Sequence, residues 1–158
     1  MLTLIHLRIS PTFLDAIEHS NAQFHILVCI IKGENYMLIN TYSDPDTDAH
    51  AEATMNRILR TMDDFKLRFT IHHIVRAGDF NFVLRDDDTT SHSRKPRAKA
   101  VLYDVTALQS LTLAHTYFRH RIEGMSARYN RIYKTSTILF GEKSWVLTRK
   151  SDHDPTGH

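Results

Sequence analysis

The stretch "AGDFNFVLRDDD", residues 77–88, decides how this chain is read. An apolar-leaning run, "RFTIHHIV" (68–75), leads through Arg76 into a glycine, an acid, an aromatic and an amide. Three more acids follow at 86–88. A turn accounts for Gly78 and for Asp79 as an Asx residue. It does not account for Asn81 two positions later. Side chains at i and i+2 on an extended backbone share one side, so a strand end here would present a carboxylate and an amide together. A carboxylate can bind a cation or take a proton from water. A neutral amide can hold a phosphoryl oxygen. Groups placed just past the C-terminal end of a strand are where open sheets commonly carry function.

The rest of the chain supplies a frame for that strand end. It has 158 residues, enough for one domain with a core. Apolar residues make up 42% and charged residues 24%, an ordinary soluble balance. The formal charge is only +2, so composition alone does not require a nucleic-acid partner. Its distribution says more. Residues 92–100, "HSRKPRAKA", hold four cations and no acid. Residues 119–134 hold five cations against one Glu. Either patch could meet phosphate or be a solvated loop or strand edge.

Cys29 is the only cysteine, which excludes an internal disulfide and a cysteine-based zinc site. Its setting, "FHILVCII", predicts a buried, inert thiol. The eleven histidines are scattered and show no metal-ligand spacing. No apolar run approaches the roughly 20 residues of a membrane span. The opening "MLTLIHLRIS" is a poor secretory leader, and an intracellular setting, nuclear or cytoplasmic, is expected.

The hydrophobic pattern predicts a strand at 2–9 and then a connection, "SPTFLDAIEHSN". Residues 22–31, the "KGEN" turn and 36–42 predict a hairpin. "SDPDTD" (43–48) stops the second strand and offers Thr47 and Asp48 as N-caps. Met55, Ile58, Leu59, Met62 and Phe65 predict a helix over 49–64. A strand over 67–76 ends at the motif, followed by a polar loop at 86–97. Ala98, Val101, Leu102, Val105 and Leu108 mark a second helix over 98–111. Further strands are expected at 115–121, 127–134 and 144–148. The order predicts a mixed α/β or α+β layered domain.

Two more segments carry chemistry-bearing residues. In "SARYNRIYKTS" (126–136), Arg128, Asn130 and Ile132 alternate with Tyr129, Arg131 and Tyr133. One side could be inward and polar, the other a basic aromatic surface, or the segment could be an ordinary edge strand. Near the end stands "SDH", Ser151 to His153, where a His beside an Asp could act as base or phosphate contact, or simply belong to a tail.

Taken in order, "GDFN", "RYNRIY" and "SDH" resemble the endonuclease/exonuclease/phosphatase superfamily. The likeness is greatest to endonuclease domains of non-LTR (LINE-type) retrotransposons, relatives of the abasic-site endonucleases. Those read "GDFN", then "RIDRIY" or "RLDRIY", then "SDH". "LINTYS" (38–43) is similar to their strand with an active-site tyrosine, which falls on Tyr42. "HTYFRH" (115–120) is similar to their "YTF" strand. The resemblance covers about residues 22–155.

The resemblance implies a four-layer α/β/β/α sandwich of two mainly antiparallel sheets, in a single domain over 1–158. It implies Mg²⁺-dependent phosphodiester hydrolysis. Asp79 would position or activate water, and Asn81 would contact the scissile phosphate and order Asp79. His153 would face the oxygen where charge grows, Asp152 would be a metal partner, and Tyr42 would hydrogen-bond the phosphate. Apart from the resemblance, the basic patches themselves could hold nucleic acid through Arg94, Lys95, Arg97, Arg119, Arg121, Arg128 and Arg131, with Tyr117 and Tyr133 offering stacking surfaces.

The chain departs from that pattern in three places. The family's leading Asn strand and its "QET"-like segment, with the metal-binding Glu, are not visible ahead of "HLRIS". Glu18 and Glu34 stand in the wrong context to replace it. A sheet edge would then be exposed or covered by a partner chain or a second copy. Asn130 stands where the family has Asp, so it can accept a hydrogen bond from the SDH histidine but cannot stabilise an imidazolium. A comparable Asp-to-Asn change in serine-protease triads lowers the rate by about 10⁴. The turn between 98–111 and "HTYF" is also shorter than the family's. The expectation is therefore a nuclease-like domain with catalysis weakened or lost. The alternative is a non-catalytic nucleic-acid-binding or protein-interaction module on the same fold.

Overall fold

A computed structural model of the chain describes residues 5, 7–19, 23–43, 47–82, 97, 98, 101, 108–110, 117, 118, 126, 127 and 130–135. After a 3₁₀ turn at Leu7–Ile9 come β1 (Thr12–Glu18), β2 (Phe24–Ile31), β3 (Glu34–Tyr42), α1 (Asp48–Arg68) and β4 (His73–Asp79). Short strands β5 (Leu108–Ser110), β6 (Tyr117–Phe118) and β7 (Ser126–Ala127) precede β8 (Asn130–Thr135). One mixed sheet has the order β1-β2-β3-β4-β8-β5, and β6 and β7 form a separate pair.

The β2–β3 hairpin forms as its residues demand. Lys32 and Gly33 both take positive φ, 53° and 84°. Two such residues make the turn whose twist matches a right-handed strand pair. The register then runs without interruption from Ile31 opposite Glu34 to Phe24 opposite Thr41. β2 is buried on both sides. Phe24, Ile26 and Val28 join the core beneath α1, while Leu27 and Cys29 are buried on the other side. Burial raises the Cys29 thiol's pKa, as expected for an inert cysteine.

α1 begins where Thr47 accepts the His50 N–H at 3.1 Å. Asp48 in its first turn and Lys66 and Arg68 in its last complement the helix dipole. Ala51, Met55, Ile58, Met62 and Phe65 form its buried stripe against Phe24, Ile26, Met37 and Ile39 of the sheet. Because α1 crosses between them, β3 and β4 pair in parallel and end side by side.

Several expectations change. The first strand is not at 2–9. Residues 7–9 form a 3₁₀ turn, and the strand lies at Thr12–Glu18, inside the segment expected to be a connection. Its weak alternation hides it, because β1 is an edge strand exposed along most of its length. A bulge between Phe13 and Asp15 turns Asp15 toward Arg68 at the end of α1. Residues 67 and 68 belong to the helix, and β4 starts only at His73. The intervening stretch is held by a backbone bond from His72 N–H to the Asn35 carbonyl.

The helix expected over 98–111 does not extend that far. Residues 97, 98 and 101 are helical, but Leu108–Ser110 pair with β8 as a strand. The strand expected at 144–148 lies outside the described residues. Among the described residues, no helix is long and apolar enough to cross a membrane.

Candidate functional site

The register brings the motif residues together. Tyr42, the last residue of β3, lies opposite Asp79, the last residue of β4. Asp79 in turn lies opposite Asn130, the first residue of β8. Three residues far apart in sequence therefore occupy one row across three strand ends. Tyr42 is 46% exposed and Asp79 is half-buried, so these two positions are open at the sheet's end.

Backbone bonds hold this row in place. Ser43 N–H donates to the Asp79 carbonyl at 2.8 Å, extending the β3–β4 ladder past Tyr42. Tyr42 N–H donates to the Gln23 carbonyl at 2.7 Å. Gly78 is essential to the fit. It takes φ 142°, and a Cβ there would sit 1.9 Å from the Thr41 carbonyl oxygen. Any side chain would drive the two strands apart next to Asp79.

Asn81 is placed differently from its expected position. It is not on extended backbone; its φ is 49°, in the left-handed region that Asn tolerates. The chain turns sharply after Asp79, whose Oδ1 accepts the Asn81 N–H at 3.0 Å. The Asn81 amide then donates to the Ser43 carbonyl at 2.8 Å. The same-side argument for Asp79 and Asn81 therefore fails. An Asx turn brings them together instead, with Asp79 as its acceptor. The turn sends Phe80 and Phe82 into the core, where both are fully buried and meet edge to face at 5.9 Å.

Tyr133 requires a correction. It was expected as a stacking surface, but it is only 3% exposed. Its register partner is Arg76, on the side facing α1, and its ring meets Phe80 edge-on at 5.4 Å. Ile132, on the other side, is 42% exposed. At these two positions Tyr133 faces the core and Ile132 faces out, so Tyr133 offers no stacking surface.

Of the other expected residues, Arg131 pairs in register with Gly78 and Tyr117 lies in β6. Arg97 is exposed, and its N–H and that of Ala98 donate to the Asp48 carboxylate, each at 3.1 Å. Asp152, His153, Arg94, Lys95, Arg119, Arg121 and Arg128 lie outside the described residues.

Sequence reasoning missed two residues. Ser43 serves through its backbone, which carries no signal in a side-chain pattern. Arg76 is fully buried beneath the strand ends. Its Nε donates to Thr41 Oγ1 at 3.3 Å, its Nη2 meets Met55 Sδ at 2.8 Å, and its Cζ lies 5.2 Å from the Phe80 ring centroid. Burial lowers its pKa to about 10, partly offset by Tyr133. Its signal was a lone cation at an inward position of an otherwise apolar strand.

Among the described residues, no group of three or more His, Cys, Asp or Glu side chains could hold a metal. Asp79 is the one carboxylate in the row. Mg²⁺ usually takes one or two carboxylates together with substrate phosphate and water. Among the described residues of the row, Asp79 is the carboxylate that could serve such a cation.

Neither protein-family models nor curated protein sequences match the chain. Solved structures do. An AP endonuclease from Archaeoglobus fulgidus superposes with a TM-score of 0.54 at 16% identity, over 80% of this chain and 59% of that one. The endonuclease domain of TRAS1, a telomere-specific non-LTR retrotransposon, gives 0.54 at 15%, over 77% and 56%. The 3′ phosphatase NExo from Neisseria, bound to a product DNA hairpin, gives 0.59 at 16%, over 80% and 60%. The chain thus spans less than two thirds of each. Identities this low speak for the fold. The mixed sheet carries "GDFN" at the end of its fourth strand, beside the tyrosine of "LINTY". The chain has the endonuclease/exonuclease/phosphatase fold.

Proposed function

We propose that this chain is a retrotransposon-type, endonuclease-like domain that keeps a phosphate-facing strand end while its hydrolytic activity is weakened or lost. The observation that carries this reading is the row Tyr42, Asp79 and Asn130 across three adjacent strand ends. The Tyr42 hydroxyl donates to a phosphate oxygen. Asp79 receives the proton of an attacking water or orients that water. Asn81 holds Asp79 in place through its N–H. In-line displacement at phosphorus depends mainly on such positioning and on charge stabilisation.

The weakened activity follows from Asn130 in place of the family's Asp, since an amide cannot stabilise an imidazolium. Mg²⁺, with Asp152 touching it directly or through one of its ligands and His153 facing the phosphate, belongs to this proposal by resemblance. To it also belong DNA as partner, Arg94, Lys95, Arg97, Arg119, Arg121, Arg128 and Arg131 as backbone contacts with Tyr117 beside them, and a nuclear or cytoplasmic setting. A second layer packed on the side of the sheet away from α1, as the four-layer sandwich requires, is supported by the burial of Leu27 and Cys29 there. We read the chain as one domain.

One assay decides the main point. Supercoiled plasmid is incubated with protein in Mg²⁺ and in EDTA, alongside Asp79→Ala. DNA retention that weakens with salt, without nicking, is the expected outcome. Metal-dependent nicking that Asp79→Ala abolishes would overturn the loss of activity. Absence of both nicking and retention would overturn the nucleic-acid reading. A protein-interaction role has one observation in its favour. The edge strand β1 exposes Phe13 at 62% and Ile17 at 38%.

A further inference from the structure

Arg76 presents an electrostatic problem that the proposed chemistry does not use. A fully buried cation is costly unless it is paired. Among the described residues no ion pair reaches its guanidinium. Two of its nitrogens have neutral neighbours, Thr41 Oγ1 and Met55 Sδ, and Nη1 has no hydrogen-bond partner. The neighbouring ring of Phe80 satisfies part of the charge but none of the N–H groups.

The direction of the side chain locates the unmet group. Arg76 lies opposite Ile39 in register, yet its Nε bonds Thr41, two residues further along β3. The guanidinium therefore runs along the sheet toward the ends of β3 and β4. Ser43, one residue past the end of β3, is the next inward position after Thr41. It is fully buried, and its Oγ also has no hydrogen-bond partner. Its N–H is fixed on the Asp79 carbonyl, next to Phe80, whose ring the guanidinium overlies. An unpaired cationic donor and an unpaired hydroxyl donor thus converge beneath the same strand ends.

We propose that Arg76 Nη1 and Ser43 Oγ together bind a small monovalent inorganic anion, of the size and charge of chloride, between the ends of β3 and β4 and the first half of α1. The uncompensated charge, with a hydroxyl beside it free to donate, selects an anion. Water could accept both hydrogen bonds but would leave the buried charge uncompensated. Met55, Phe80 and Tyr133 around the guanidinium are themselves buried, which keeps out a phosphate ester attached to a polymer. Arg76 thereby becomes a stabilising element of the strand ends that present Asp79, through an ion rather than a carboxylate.

The test is thermal unfolding of the whole chain at constant ionic strength, with sodium chloride replaced stepwise by sodium gluconate. The wild type is expected to gain roughly 5 °C in Tm with saturable dependence, as chloride reaches about a hundredfold excess over its Kd. Arg76→Met keeps the length and loses the charge; its Tm should be the same in both salts. Ser43→Ala keeps the cation and should need several-fold more chloride for the same gain. A wild-type Tm indifferent to the anion would overturn the proposal. So would an equal chloride gain in Arg76→Met. Should Arg76→Met fail to fold, the Ser43→Ala titration decides, and an unchanged midpoint there overturns the site. None of these readouts depends on nucleic-acid binding or hydrolysis.

Discussion

The side-chain amide of Asn81 donates to the main-chain carbonyl of Ser43 at 2.8 Å, and so ties the turn after β4 to the end of β3. The Asn81 N–H is held at the same time by Asp79 Oδ1. One residue thus sets the spacing of two strand ends and the orientation of the carboxylate between them. Its left-handed φ of 49° makes both bonds possible.

Asn81→Ala should therefore lose a hydrogen bond and add backbone strain, together about 2–3 kcal/mol. Asn81→Gly keeps the backbone conformation at no steric cost and should lose only about 1 kcal/mol. Urea denaturation of the two variants separates the contributions. Equal losses would mean that the φ angle contributes nothing.

The two positive-φ glycines should respond very differently to alanine. At Gly78 the added Cβ would lie 1.9 Å from the Thr41 oxygen, a backbone atom that cannot swing away. Gly78→Ala should lose at least about 3 kcal/mol, or fail to fold. At Gly33 nothing lies within 4 Å of the added atom, so only its φ of 84° opposes the change. Gly33→Ala should lose about 1–2 kcal/mol. Circular dichroism melts of both variants provide the comparison.

Thr47 caps α1 through its hydroxyl. Thr47→Ala should lower stability by about 1 kcal/mol, and Thr47→Ser should be close to neutral. Chemical denaturation measures both. An Ala variant as stable as the wild type would show that the cap contributes nothing.

Stability should also depend on pH through Asp15. The Arg68 side chain, and after it the Ala16 N–H, holds the Asp15 carboxyl below the ordinary carboxylate range. A carboxyl whose pKa is lowered by folding stabilises the fold above its unfolded pKa. That contribution is lost as pH falls through its lower folded value, so the window opens at about pH 4 and extends downward. Both side chains are partly exposed, so the effect is small and shrinks in salt. Arg68→Met should lose less stability than the wild type between pH 5 and pH 2. Parallel slopes over that window would remove Asp15 as a contributor.

The local elements of the fold were legible in residue patterns. The apolar run of β2, the "KGEN" turn and the return strand specify a hairpin, because two adjacent positive-φ positions leave few other turns. The stripe Met55, Ile58, Met62 and Phe65 specifies α1, and Thr47 marks where it starts. β1 was not legible. "TFLDAIE" is exposed over most of its length, and pairing with β2 makes it a strand. Leu108–Ser110 fits a helical spacing, yet pairs with the edge of β8.

The sequence by itself determined which residue types could form a site: an acid, an amide and a phenol at strand ends, in an order that resembles one superfamily. It could not determine their mutual positions. Tyr42, Asp79 and Asn130 form one row only because α1 crosses over to make β3 and β4 parallel and β8 pairs with β4 residue by residue. Tertiary structure alone also decided that Asn81 reaches Asp79 by a turn, and that Arg76 is buried with no carboxylate beside it among the described residues. A pattern records spacing along the chain, whereas register and burial are set by contacts between segments far apart in sequence.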